Sequence, residues 1–144
     1  MNSMPDDKTF VDTNIIIYAY DVTAGKKHEA AENILADLWN SGLGVISTQV
    51  LQEFFVNVVQ KIPNPIDKKQ AKEIIRDFLK WHVVVNTGES IIEAINISQK
   101  FNYSFWDSMI IEAAIAGGAG VLLSEDLQDG QIINDVNIMN PFRP

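Results

Sequence analysis

Apolar and polar positions along this chain follow two rhythms, and the rhythms take turns. Short apolar runs with strand character stand at residues 8–12, 44–47, 82–86 and 120–124, with a weaker one at 136–139. The consecutive valines Val83, Val84 and Val85 carry the signature of a buried strand. Between these runs, apolar residues recur every three or four positions, the period of a helix with one buried face. Residues 26–40 present Ala31, Ile34, Leu35, Leu38 and Trp39 at that spacing, and 50–61 present Leu51, Phe54, Phe55, Val58 and Val59. A helix capped by Asp67 and running through Trp81 presents Ala71, Ile74, Ile75, Phe78 and Leu79. Further helices are predicted over 15–20, 89–101 and 105–116. Thr13 or Asn14 is the expected cap of the first, Thr48 of the one after the second strand. Pro63 and Pro65 make 62–66 a loop, and Gly117 with Gly118 closes the last helix.

Strand and helix alternating in this way predict an α/β chain. The expected fold is a single-domain α/β/α sandwich over 1–144, with a mostly parallel central sheet of four to five strands. A length of 144 residues fits one domain, and 47% hydrophobic with 21% charged residues is a globular composition. There is no internal repeat, low-complexity tract or long linker. The absence of cysteine excludes disulfides and thiolate metal sites and suits a cytoplasmic location. Residues 1–8 are polar and acidic, without the apolar segment of a secretion signal. No apolar run approaches the roughly 20 residues that span a bilayer, so no membrane association is expected. The net charge of −8 opposes indiscriminate nucleic-acid binding. A carboxylate cluster awaiting cations would add to the same sum, so the placement of the acids matters more than their number.

Four acids fall where such a sheet keeps its sites, beyond the carboxyl ends of the strands. Asp12 ends the first strand. Glu53 lies in the first turns of the helix after the second. Asp107 stands near the start of the helix that follows Ser104, and Asp126 just beyond the fourth strand. Any one of them alone is an ordinary helix cap or turn residue. Glu53 and Asp107 are flanked by Phe54 and Phe55 and by Phe105 and Trp106, and charges beside a core face are usually paired or functional. Together the four offer the oxygen ligands that hard divalent cations such as Mg²⁺ and Mn²⁺ take. Such a cation lowers the pKa of a coordinated water and stabilises charge on phosphoryl oxygens.

Phe10-Val11-Asp12-Thr13-Asn14-Ile15 resembles the opening motif of PIN-domain nucleases, particularly the VapC-type toxins. Glu53 in Gln52-Glu53-Phe54 looks like the family's second acid, and Asp107 in Trp106-Asp107-Ser108 like its third. Ser124-Glu125-Asp126-Leu127-Gln128-Asp129 resembles the closing motif. The four motifs are short, but they occur in order over nearly the whole chain. The resemblance implies a metal-dependent endoribonuclease with Asp12, Glu53, Asp107 and Asp126 as catalytic, metal-binding acids for Mg²⁺ or Mn²⁺. Thr13 and Asn14 would orient the first acid and Ser124 the fourth. It further implies an RNA substrate, a cognate antitoxin partner in a type II toxin–antitoxin system, and a homodimer. One departure is Gly130, where the family often has an aromatic after the last acid, which sets Asp129 apart as a peripheral supporting candidate. Glu125, next to Asp126, would point away from it on a strand end.

Lys68, Lys72, Arg76 and Lys80 recur every fourth residue, a stripe opposite the apolar face of their helix. With Lys61 and Lys69 they are six of the 11 basic residues. The stripe reads as a solvated face or, alternatively, as an RNA backbone track. His28 and His82 have no partner at metal-ligand spacing. Trp39, Trp81 and Trp106 read as core or interface residues rather than base-stacking platforms. Two other functions stand beside the leading one. A PIN-like RNA-processing nuclease would lack an antitoxin. A non-catalytic receiver-type signalling domain would need a second acid after the first strand, where Asn14 stands, and a lysine after the last strand, where 136–144 has none.

Overall fold

Among the described residues six short strands and six α-helices follow the predicted alternation. The computed structural model describes residues 7–143, so most of the polar stretch 1–8 lies outside the described residues. The strands are β1 (Thr9–Val11), β2 (Gly44–Ser47), β3 (His82–Val84), β4 (Val121–Leu123), β5 (Ile132–Ile133) and β6 (Val136–Met139). The α-helices are α1 (Thr13–Tyr20), α2 (Lys26–Ser41), α3 (Thr48–Gln60), α4 (Lys68–Phe78), α5 (Gly88–Phe101) and α6 (Phe105–Ala116). The sheet order is β3-β2-β1-β4-β6-β5, parallel throughout except that β5 runs antiparallel to β6. The helices complete the α/β/α sandwich: α1 packs with α2 and α3, α3 with α4, and α5 with α6.

The central strands are buried by necessity, since helices cover both faces. Phe10, Val11, Val45, Ile46, Leu122 and Ile138 are at most 1% exposed. Each such side chain contributes about 1.5–3 kcal/mol of transfer free energy. In α6 Ser108, Met109, Ile110, Ile111, Ala113 and Ala114 are all buried, so this helix passes through the core and surfaces mainly at its ends.

Four local expectations shift. Asp12 itself caps α1, and Ser47 rather than Thr48 caps α3; Thr48 instead donates its hydroxyl to Asn86 Oδ1 at 2.9 Å. The α4 helix stops at Phe78, and Leu79 is 58% exposed where the chain turns back toward β3. The valine run does not form a fully buried strand, because β3 is at the sheet edge and Val85 beyond it is 65% exposed. The sixth strand, β5, pairs with β6 across a tight turn at Asn134 and Asp135, both with positive φ (47° and 68°). Asn and Asp tolerate that conformation, but two residues of strand are too few to show a period.

Candidate metal and phosphodiester site

Neighbouring β1 and β4 send their chains off in opposite directions across the sheet, to β2 on one side and to β6 on the other. Such a reversal opens a crevice at the carboxyl ends of the two strands. Asp12 leaves β1 there, its N–H bonded to the Leu123 carbonyl at 3.0 Å. It is 5% exposed. One carboxylate oxygen accepts the Thr13 N–H at 2.7 Å and the other the Ser124 hydroxyl at 2.7 Å. Burial pushes its carboxyl up to about 7; the bonds from Ser124 and Thr13 pull against that, and the charges of Asp126 and Glu53 add to it.

The other acids arrive from three further elements. Glu53, on α3, accepts the Thr13 hydroxyl at 2.6 Å and the Gln49 amide at 3.3 Å. Asp107 is the third residue of α6, where its N–H is capped by Ser104 Oγ at 3.1 Å. Partial burial raises its carboxyl above the ordinary range; the Ser104 bond opposes this and the charges of Asp126 and Glu53 reinforce it. Asp126, in the loop after β4, accepts the Asn14 side-chain amide at 3.0 Å. Its backbone N–H reaches Ser124 Oγ at 3.1 Å, so one buried serine ties the first acid to the fourth. The four acids are thus electrostatic neighbours. Glu53 and Asp126 line a cleft of ≈ 560 Å³ together with Thr13, Asn14, Gln49 and Trp106.

Thr13 and Asn14 sit in the first turn of α1, and their side chains orient Glu53 and Asp126 rather than Asp12. The first acid is instead held by the Thr13 backbone and by Ser124. Glu125 does point away from Asp126, taking the Tyr18 hydroxyl at 2.6 Å and an ion pair from Lys27. Asp129 is not brought to the cleft; its carboxylate accepts the Asn140 N–H at 2.8 Å and secures the segment after β6. Nor does the basic stripe line the cleft. Lys68, Lys72 and Arg76 are exposed on α4 and Lys80 is exposed in the turn after it, with Arg76 beside Glu73 (3.4 Å) and Lys80 beside Asp77 (3.9 Å) of α4. His28 bonds the Tyr18 carbonyl at 2.8 Å, and His82 is exposed at the start of β3. What the sequence reading missed is Gln49, Asn57, Lys61 and Trp106 in the cleft wall. A signal existed: Gln49, Glu53, Asn57 and Lys61 follow one another at four-residue helical spacing.

Among the described residues no group of three or more His, Cys, Asp or Glu could hold a metal ion as the side chains stand. Thr13 and Asn14 hold Glu53 and Asp126 in hydrogen bonds instead. The donor chemistry nevertheless suits a hard divalent cation, since every candidate ligand is a carboxylate. Mg²⁺ needs only one or two of these, with waters completing its shell. Burial, with the charges of Asp126 and Glu53 adding to it, raises the Asp12 and Asp107 carboxyls, and a cation beside them would favour their ionised forms.

The family model for the PIN domain matches residues 9–128, from β1 through the loop that carries Asp126. The chain belongs to the PIN-domain family. PIN membership displaces the receiver-type alternative, and so does the sheet order, which differs from the 2-1-3-4-5 order of that fold. Solved structures agree on the fold. A toxin–antitoxin complex from Klebsiella pneumoniae matches with a TM-score of 0.67 at 18% identity, over 94% of this chain and 99% of that one. VapBC2 from Rickettsia felis, bound to a DNA fragment from its promoter, gives 0.63 at 18% identity, over 92% and 97%. The sarcin–ricin-loop-cleaving toxin VapC20 of Mycobacterium tuberculosis gives 0.59 at 19% identity, over 79% and 86%. No curated protein matches the chain in sequence. No helix of this PIN domain, among the described residues, is long and apolar enough to cross a membrane.

Proposed function

We propose that this PIN domain is a divalent-cation-dependent endoribonuclease and the toxin of a type II toxin–antitoxin pair. The observation that carries the reading is the electrostatic coupling of four acids from four separate elements, two of which, Glu53 and Asp126, line one cleft, with Ser124, Thr13 and Asn14 bonded among Asp12, Glu53 and Asp126. A helix-capping role explains Asp12 alone; it does not explain why Glu53, Asp107 and Asp126 are gathered beside it against their mutual repulsion. Asp12, Glu53, Asp107 and Asp126 would hold Mg²⁺ or Mn²⁺. When bound, the cation supplies charge stabilisation at a phosphodiester and a more acidic water. The protein's own share is positional. The Thr13 hydroxyl fixes the Glu53 carboxylate, Asn14 fixes Asp126, and Ser124 sets the spacing between Asp12 and Asp126. Likeness to VapC and VapBC structures supports the toxin reading with an antitoxin as partner; a second copy of the chain is part of the same proposal. The exposed Ile91, Ile92 and Ile95 on α5 supply apolar surface that such an assembly would cover.

Asp12→Asn and Asp107→Asn should each lower RNA cleavage by at least about a thousandfold while circular dichroism stays native, and chelation should do the same to the unmodified chain. Cleavage that persists in both variants, or in excess chelator, rules the assignment out.

A further inference from the structure

Trp106 differs from the other two tryptophans. Trp39 and Trp81 meet Phe78 in one aromatic cluster, with centroids 4.9–5.5 Å apart, and serve packing. Trp106 is 63% exposed and lines the acidic cleft, its ring edge-on to Phe105 at 5.1 Å. A large indole left in water beside a polar cleft has apolar area to gain from a ligand that covers it. The same cleft receives Gln49, Gln52 and Asn57 from α3 and Lys61 from the position after its end; Asn57 Nδ2 donates to the Glu53 carbonyl at 2.8 Å, which leaves its Oδ1 for a base edge. Lys61 stands eight positions after Glu53, about 12 Å along the helix axis, so it lies well along the groove from Glu53. Gln49 is 5% exposed, and its Nε2 reaches both Glu53 Oε2 (3.3 Å) and the Trp106 carbonyl (3.4 Å). Its Oε1 is buried with no hydrogen-bond partner. A flat aromatic surface, side-chain amides and a lysine at the far end are the parts that hold a splayed nucleotide: a face to stack on, groups for a base edge, and a charge for a phosphate. Bases inside a duplex have no free face to offer.

We infer that the groove between Trp106 and Lys61 is a binding subsite for single-stranded RNA flanking the scissile phosphate. One base stacks on Trp106, Gln52 and Asn57 face base edges, and Lys61 meets a neighbouring phosphate. This rests on RNA being the substrate, as proposed above. The chain carries a net charge of −8, so stacking supplies much of the hold on RNA.

The test uses the full chain with Mg²⁺ and a short single-stranded RNA. In the Asp107→Asn background, which keeps the probe intact, the oligonucleotide should quench indole fluorescence, and Trp106→Phe should remove that quenching. The same strand in a duplex should quench little. In the otherwise unmodified chain, Trp106→Ala should raise KM about tenfold with kcat nearly unchanged, and Trp106→Phe should restore it to within about threefold. Lys61→Ala should lower the slope of binding against log salt by about one. Quenching that survives Trp106→Phe, equal quenching by duplex, or wild-type KM in Trp106→Ala overturns the subsite. So does an effect of Trp106→Ala confined to binding of a protein partner. If the unmodified chain cleaves no RNA, the proposed function fails, while the quenching experiment still decides the subsite.

Discussion

Asp12 answers two demands that pull in opposite directions. As the cap of α1 it accepts a backbone N–H and favours the ionised form, yet its burial favours the neutral one, and burial wins. In the unfolded chain the carboxyl ionises near 3.8, and in the folded protein near 7. Between those values the folded state binds the extra proton, so stability falls as pH rises through that window and stays low above it. Asn in this place is neutral at every pH and can still accept from Thr13 and donate to Ser124. Asp12→Asn should therefore stabilise the cation-free protein at pH 8 by ~1–3 kcal/mol, a rise of several degrees in Tm, and have little effect near pH 4. Calorimetry of both chains across this range checks it; an equal shift at both ends of the range would contradict it.

At the scale of elements, the sheet is held in register by close approaches as much as by hydrogen bonds. Gly44 opens β2 beside Thr9 of β1. A Cβ there would lie 2.5 Å from the Trp81 ring, which is itself wedged against Trp39 and Phe78. The ring has nowhere cheap to go, because interiors resist even a methyl's excess volume. Gly44→Ala is expected to destabilise by ~1–3 kcal/mol and to leave cleavage intact well below the lowered Tm. Thermal denaturation reads the first part, and an unchanged midpoint would show that the cluster yields freely. Gly44 stands at the amino end of its strand, whereas Asp12 and Asp126 follow the carboxyl ends of β1 and β4, which is why packing damage here and chemical damage there separate.

For the whole molecule, the excess of negative charge and the four gathered acids make one prediction together. Mn²⁺ or Mg²⁺ should raise the Tm of the unmodified chain beyond what sodium does at equal ionic strength, by ~2.7 kcal/mol of stability at a hundredfold excess over Kd. Most of that gain should vanish in Asp12→Asn. It should also be larger at pH 8 than at pH 6, since below about 7 the cation must displace a proton from Asp12. Scanning calorimetry with each salt tests this, and a shift that Asp12→Asn retains in full would place the cation elsewhere.

By itself the sequence determined what local forces decide. Helix period, strand runs and turn residues placed nearly every element, and the Asp12, Glu53, Asp107 and Asp126 motifs marked the candidate chemistry. Cap positions were off by one because Asp12 and Thr13, or Ser47 and Thr48, are chemically near-equal caps, and only backbone geometry chooses between them. Contacts between residues far apart in the chain were decided by the tertiary structure. That Thr13 serves Glu53 across 40 positions, that Ser124 joins Asp12 to Asp126, and that Asp129 turns to Asn140 depend on strand order and helix rotation, which no local period encodes. The same holds for Trp106. Its neighbours in the chain are apolar enough to suggest core, yet the cap at Ser104 starts α6 at a phase that buries Ser108 and leaves the indole in the cleft. Side-chain chemistry is written locally; which side chains share a space is set by how the layers pack.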